Sequence, residues 1–435
     1  MPQRMLAVIM AGGMGSRLQP LTSVRAKPAV PFGGIYRIID FTLSNCINSE
    51  VRQVWVLTQY KSHSLSNHLK FGWNFLSPRL DQFIGEIPAQ MQQGSTWYRG
   101  TADAIRQNMH FFERTQARQL LVLAGDHVYK MDYRLLQRFH EDNRACLTVA
   151  AVRVPAARAA NNYGVIEVDE AFRIVGFQEK PAVPRTIPGT DECLASMGIY
   201  LFNYDALERC LAAHDDFGKE AIPAAIAQGE PVYAWDFSRL NLIGEYEYQP
   251  RAGYRARAWV ERACDAGYWR DVGTLEEFWR ANLDLVAITP AFNLYGENWP
   301  IFNFPMYYPP VKFVHDAPDR TGVARGSILS NGVLVSGGTI IDSVVGPGVY
   351  VNSWAHIEAS VLFGGSITGG KVSETTIGRT CRIRNAIIDK GVHIGEGVVL
   401  GFDRAHDEAR GLTTQPIDGG RDHVVVVPRG CLLER

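Results

Sequence analysis

From Val335 to Leu400 aliphatic residues recur in steps of five or six: Val335, Ile340, Val345, Val351, Ile357, Leu362, Ile367, Val372, Ile377, Ile383, Ile388, Ile394 and Leu400. Glycines and small polar residues fill the gaps. A strand alternates with period two and an α-helix repeats every 3.6 residues, so neither sustains this register. A chain that turns a corner every six residues and sends one aliphatic inward per face does sustain it. That is a β-helix, in which each coil buries its inner face on the next. The competing arrangement, an irregular β-sandwich of short strands, has no reason to keep the register so long.

The first two-thirds follow another rule. Short β-rich runs at Leu6–Met10, Val54–Thr58, Leu120–Ala124, Leu147–Val154 and Gly198–Phe202 alternate with helical patterns. Ile105, Met109 and Phe112 define one helical face, and Leu135, Leu136 and Phe139 a second. Such alternation predicts an α/β domain with a mainly parallel mixed sheet, whose ligands sit at the carboxyl ends of the strands. A helix-like stretch over Leu275–Val286 ends it. The division expected is a first domain over residues 1–289, an ordered proline/aromatic connector over 290–312, and the repeat domain over 313–435.

Composition narrows the partners. A net charge of −1 over 435 residues offers no electrostatic case for nucleic acid or an anionic membrane. The seven cysteines are scattered and never in C-x-x-C spacing, which argues against zinc or a disulfide framework. A strand begins within a few residues of the start, leaving no room for a signal peptide, and no apolar run reaches a membrane span. A cytoplasmic location is expected.

The chemistry begins at Ala11-Gly-Gly-Met-Gly-Ser-Arg-Leu18, directly after the first apolar run. A strand that opens into glycines presents backbone N–H groups with nothing in front of them, a cradle for polyphosphate, and Arg17 adds a cation. The spacing is neither a P-loop nor the G-x-G-x-x-G of a dinucleotide fold. A tight turn after a core strand would read the same way. Asp126 ends the strand Leu120–Ala124, and Asp271 lies in Tyr268-Trp-Arg-Asp-Val-Gly273. Two carboxylates beside a phosphate loop suit a Mg²⁺–nucleotide site, though either alone is more often a cap or a turn residue. Lys180, in Phe177-Gln-Glu-Lys-Pro181, is either a solvated strand end or a phosphate contact with Glu179 on sugar hydroxyls. Arg25-Ala-Lys27 is either surface charge or a phosphate clamp, and Thr101 or Asp103 caps the helix after Trp97-Tyr98.

Together these residues resemble the sugar-nucleotide pyrophosphorylases, specifically the bacterial glucose-1-phosphate adenylyltransferases of glycogen synthesis. The resemblance runs along nearly the whole chain. It includes Arg25-Ala-Lys-Pro-Ala-Val30, Tyr36-Arg-Ile-Ile-Asp-Phe41, Trp97-Tyr-Arg-Gly-Thr-Ala-Asp103, Leu123-Ala-Gly-Asp-His127, Glu179-Lys-Pro181, Asp216-Phe-Gly-Lys219 and Tyr268-Trp-Arg-Asp-Val-Gly273. It implies a Rossmann-like (GT-A-like) nucleotidyltransferase domain followed by a left-handed parallel β-helix with regulatory and oligomerisation roles. It also implies adenylyl transfer from ATP to α-D-glucose 1-phosphate with Mg²⁺, giving ADP-glucose and pyrophosphate. By the family pattern Gly12, Gly13, Gly15, Gln59, Gln90, Trp97, Tyr98 and Gly100 take ATP, with Arg17 and Lys27 on its phosphates. Asp126 and Asp271 take the metal, and Gly164, Glu179, Lys180, Ser196, Asp216, Phe217 and Trp269 take glucose 1-phosphate. Arg17, Lys27, Asp126, Lys180 and Asp271 form the catalytic set.

Members are allosteric homotetramers that sense sugar phosphates and adenylate or phosphate. Here the chain departs: Val24 and Pro31 stand where enterobacterial members carry a lysine and a histidine, while Arg25, Arg37, Arg52, Arg382 and Arg384 remain as regulatory candidates. Fewer cations imply an activator with fewer phosphates, or weaker activation. The segment Arg239–Ala266 is longer than the family pattern and reads as a surface excursion. Three other readings fit parts of the sequence: a UTP- or dTTP-using nucleotidyltransferase, a non-catalytic regulatory subunit of the same fold, and a β-helix acyltransferase. The last would need a catalytic role for His356 or His393, which read better as coil-surface residues.

Overall fold

The computed structural model describes residues 4–90, 97–211, 214–304, 306–368 and 371–435. The chain forms two compact units, each assembled from separate segments: residues 1–13, 39–269 and 295–302 in the first, and residues 14–38, 270–294 and 303–435 in the second.

The first unit is built on a nine-stranded sheet: β1 Met5–Met10, β2 Gln53–Thr58, β3 Phe83–Pro88, β4 Gln119–Ala124, β5 Leu147–Pro155, β6 Gly164–Val168, β7 Ile174–Glu179, β8 Glu192–Asn203 and β9 Val232–Asp236. The order is β7-β6-β8-β4-β1-β2-β3, with β5 also paired to β8 and β9 paired to β5. Strands β4, β1, β2 and β3 are mutually parallel. β8 runs antiparallel to β4, β5 and β6, which makes the sheet mixed. The strand expected over Gly198–Phe202 is the second half of β8, whose register with β5 shifts between Ser196 and Tyr200. Gly198 sits there at φ +67°, a conformation that side chains resist.

Both helical patterns form, as Thr101–Glu113 and Tyr133–Asp142. The second faces inward differently from expectation. Its buried residues are Tyr133, Leu136, Gln137 and His140, the i, i+3, i+4, i+7 stripe, while Leu135 and Phe139 are only partly buried. His140 is kept inside by bonds to Thr148 Oγ1 (2.8 Å) and Asn203 Oδ1 (3.0 Å), and burial holds its pKa below the usual value.

In the second unit three sheets, parallel except for the edge strand Thr413–Pro416, form the faces of the left-handed β-helix. The inward aliphatics named above from Val335 to Leu362 and from Ile377 to Leu400 are at most 3 % exposed. Ile367 and Val372 break the pattern: their backbones pair with each other in an antiparallel ribbon, Ser366–Thr368 with Lys371–Ser373, outside the three sheets. The helix Leu275–Leu283 covers one face. Phe278 meets Phe363 edge-on (6.0 Å), and Trp279 Nε1 donates to the Ala359 carbonyl (2.7 Å). Residues 14–38 belong to this unit because Phe32 packs on Phe278 (5.9 Å) and the N–H of Gly33 bonds Asn282 (2.9 Å). Within the expected connector, Trp299 is 4 % exposed and its Nε1 donates to Asn45 Oδ1 (2.9 Å), so this stretch is anchored in the first unit. No helix among the described residues is long and apolar enough to cross a membrane.

Candidate active site

Parallel pairing brings three strand ends to one edge of the first unit. Met10 is level with Leu57 and Ala124, Ala11 N–H bonds the Leu57 carbonyl (2.9 Å), and Gly125 N–H bonds the Met10 carbonyl (3.1 Å). Gly12-Gly13, Gln59 and Asp126 therefore leave the sheet side by side. A Cβ on Gly12 would lie 3.0 Å from the Gln59 Cβ, whereas one on Gly13 would meet nothing within 4 Å. Gly13 thus offers open backbone, as a phosphate cradle requires. Gln90 is exposed.

The aromatic motif is locked to a second loop. Gly100 is the helix N-cap, and the Asp215 carbonyl accepts the N–H groups of Ala102 (2.9 Å) and Asp103 (3.1 Å). A Cβ on Gly100 would fall 2.2 Å from that carbonyl oxygen, so only glycine permits the approach. Thr101 is therefore not the cap: it is the first helical residue, and its hydroxyl accepts the Phe217 N–H (3.2 Å). The Asp103 side chain instead accepts the N–H of Arg99 (2.9 Å) and Gln107 Nε2 (2.9 Å) beside Arg106. Burial alone would raise its pKa, but these donors and cations hold it below the usual carboxylate value. Trp97 is 48 % exposed, while Tyr98 is partly buried with its hydroxyl on Asn108 (2.9 Å).

The residues expected on the sugar side meet around Glu179. A Cβ on Gly164 would lie 3.1 Å from Glu179 Oε2, and one on Gly218 would lie 2.6 Å from it. Burial, with the nearby Asp216 charge, raises the Glu179 pKa against the lowering effect of Lys180 and Lys219. Lys180 Nζ is 3.9 Å from Glu179, and Lys180 holds φ +48°, a strained conformation for a residue with a Cβ. Asp216 caps the next turn through the Lys219 N–H (3.0 Å). The Phe217 ring is core, 1 % exposed and packed on Tyr200 and Phe202, so only its backbone can meet a ligand. Ser196 Oγ lies 3.5 Å from the buried Tyr200 hydroxyl, whose pKa burial pushes up to about 12. Trp269 bridges two parts of the site, edge-on to His127 (5.1 Å) and to Tyr163 (5.4 Å). Asp126 Oδ1 is 3.6 Å from His127 Nε2. His127 and Gly218 lie inside motifs that carry the resemblance, but it assigns no role to them or to Tyr200. Only the contacts around Glu179 and Asp126 bring them in.

One substitution tests this packing. Gly164→Ala would set a methyl 2.6 Å from the Phe177 ring and 3.1 Å from Glu179. It is expected to raise the KM of a substrate bound beside Glu179 about tenfold with a smaller change in kcat, as steady-state kinetics would show.

The remaining residues of the expected catalytic and ATP sets lie in the second unit. Gly15 takes φ +59°, and a Cβ there would press on Thr22 (3.0 Å) and Lys27 (3.2 Å). Lys27 is 6 % exposed, and its Nζ donates to the Asp271 carbonyl (2.7 Å) and Oδ1 (2.9 Å). Arg17 lies 3.9 Å from Asp271 Oδ2. The next residue, buried Val272, holds φ +45°, costly for a β-branched side chain and typical of functional sites. The carboxylates of Asp126 and of Asp271 each present the hard oxygens that suit a divalent cation.

The regulatory candidates separate. The Arg25 side chain is 3 % exposed and its Nη2 holds both Asp389 oxygens (2.9 and 3.0 Å), while its Nη1 is buried with no hydrogen-bond partner among the described residues. Lys390 lies against the same cluster. Burial first, then the charges of Arg37 and Arg25, bring its pKa down to about 7, with Arg429 adding to the effect and Asp389 opposing it. Lys390 and Arg429 escaped the sequence reading. Arg382 and Arg384 instead stack on Phe402 (4.8 and 4.9 Å), Arg384 also pairing with Asp422 (3.2 Å). Arg52 belongs to the first unit, bonded to the Ile47 carbonyl.

Known proteins agree with the architecture. The Nucleotidyl transferase family matches residues 6–287, and the family described as GlmU-like, C-terminal hexapeptide matches residues 309–418. A glucose-1-phosphate adenylyltransferase of Deinococcus radiodurans is 42 % identical over the whole of both chains. That of Rhodopirellula baltica is 44 % identical over 100 % of this chain and 92 % of its own. The Vibrio cholerae glucose-1-phosphate adenylyltransferase 2 is 44 % identical over 94 % and 95 %. A nucleotidyltransferase domain joined to a hexapeptide β-helix, with such relatives along its full length, belongs to the glucose-1-phosphate adenylyltransferase family.

Proposed function

We propose that the chain transfers the adenylyl group of ATP to α-D-glucose 1-phosphate, giving ADP-glucose and pyrophosphate for glycogen synthesis in the cytoplasm. The observation that carries this reading is the grouping of open glycine backbone, Gln59 and Asp126 at one sheet edge of a chain whose full length follows this family. An oxygen of the sugar phosphate bonds to the α-phosphorus while the bond to the bridging oxygen breaks, and that electron pair leaves with pyrophosphate. Little covalent work falls to side chains, so positioning and charge dominate. Gly12, Gly13 and Gly15 take the triphosphate, Arg17 and Lys27 its charge, and Gln59, Gln90, Trp97, Tyr98 and Gly100 the nucleoside. Gly164, Glu179, Lys180, Ser196, Asp216, Phe217 and Trp269 hold the sugar phosphate. The carboxylates of Asp126 and Asp271 are the proposed ligands of Mg²⁺, which when bound neutralises phosphate charge. The domain division at 289 and 312 is kept as the functional one.

Regulation is proposed at Arg25, Arg37, Lys390 and Arg429. An orphaned guanidinium nitrogen and a lysine titrating near 7 are groups an anion would satisfy. The activator is a sugar phosphate, with adenylate or phosphate inhibiting, in a homotetramer. A nucleotide panel tests the substrate: ATP should exceed UTP and dTTP in kcat/KM by about 10²-fold or more. Equal use of UTP or dTTP would make it a different pyrophosphorylase, and no turnover of any would make it a regulatory subunit.

A further inference from the structure

The segment longer than the family pattern folds as a two-stranded ribbon, β10 Glu245–Arg251 and β11 Tyr254–Val260, joined at Ala252-Gly253. Its two outer edges differ. β10 contains Pro250, which lacks an N–H, and begins at buried Glu245, whose carboxylate accepts the Asn298 N–H (3.2 Å). β11 has no proline, no glycine and an unbroken register, and among the described residues its only strand partner is β10. Such an edge is a template for another strand.

What β11 displays identifies that strand. Alternation sets Arg255, Arg257 and Trp259 on one face and Tyr254, Ala256, Ala258 and Val260 on the other. Tyr254 is 67 % and Trp259 44 % exposed. Glu261 follows directly, held by Trp259 Nε1 (3.0 Å). A second copy of β11, antiparallel about a two-fold axis at Ala258, sets Arg255 opposite Glu261 and Arg257 opposite Trp259. It also sets Tyr254 opposite Arg262 and Ala256 opposite Val260. Every charge then faces an opposite charge or a ring, and the smallest side chain meets itself on the axis. Moving the axis to Arg257 would set that arginine against its own copy, which disfavours the shift. Arg257 already lies over the Tyr246 ring (4.1 Å), which presets its face.

We infer that β11 is a self-complementary edge through which two copies of this chain join their ribbons into a continuous four-stranded sheet, an isologous contact. The test is a charge swap in the full chain, read by sedimentation over a dilution series. Arg255→Glu and Glu261→Arg should each weaken self-association about tenfold or more, and the double variant should restore it to within about threefold. The backbone amides of β11 that face its open edge should exchange faster on dilution of the parent protein. Single variants that associate like the parent, or a double variant as weak as the singles, would overturn the contact. Exchange at these amides that is independent of concentration would overturn it too.

Discussion

Replacing Asp271 by asparagine is expected to lower kcat by about 10²–10³-fold with the melting temperature nearly unchanged. The side chain fits the same space, and the Asp271 carbonyl still holds Lys27 Nζ at 2.7 Å. What goes is the negative charge, 2.9 Å from Lys27 and 3.9 Å from Arg17, that orients both cations and is available to a metal. A loss confined to KM would mean that Asp271 only binds substrate. Steady-state kinetics at saturating ATP separates the two outcomes, and a kcat within about threefold of the parent would remove Asp271 from the catalytic set.

Asp389→Asn should be the most destabilising single change in the regulatory cluster, by about 3–5 kcal/mol at pH 7 in urea unfolding. Asp389 is 1 % exposed and is the carboxylate on Arg25, so its loss leaves a buried guanidinium beside Lys390. The pH dependence has a definite sign. Lys390 has a folded pKa near 7 against 10.5 for the unshifted group, so between these values the unfolded chain binds more protons. Its contribution to stability therefore rises with pH from about 7 towards 10.5. In the variant Lys390 loses its attractive neighbour, and the rise begins at lower pH. Added phosphate should return part of the stability by supplying the missing charge.

The parts of this molecule that could be read from the chain are those set by local periodicity. Val335 to Leu362 and Ile377 to Leu400 point inward because a six-residue coil leaves one inner position per face, and the register announces it. The glycine loop and Asp126 were legible because they interrupt apolar strands at their carboxyl ends. Arrangements made by distant segments were not. Arg25 and Asp389 are 364 residues apart, so the buried cluster has no spacing to detect. Arg382 and Arg384 were named through the resemblance, and no spacing in the chain foretells that both lie over the Phe402 ring. Thr101 has a cap's chemistry, yet the Asp215 carbonyl, 114 positions later in the chain, takes that place, and only the bare Gly100 allows it.

If one polypeptide joins ATP and glucose 1-phosphate, its two products form together and need the metal. The direct measurement is pyrophosphate release by the purified chain, followed together with ADP-glucose, with Mg²⁺ and with excess chelator. One pyrophosphate per ADP-glucose, lost on chelation, is the result predicted. Pyrophosphate without ADP-glucose, or equal release in chelator, would mean that the chain does not catalyse this metal-dependent transfer.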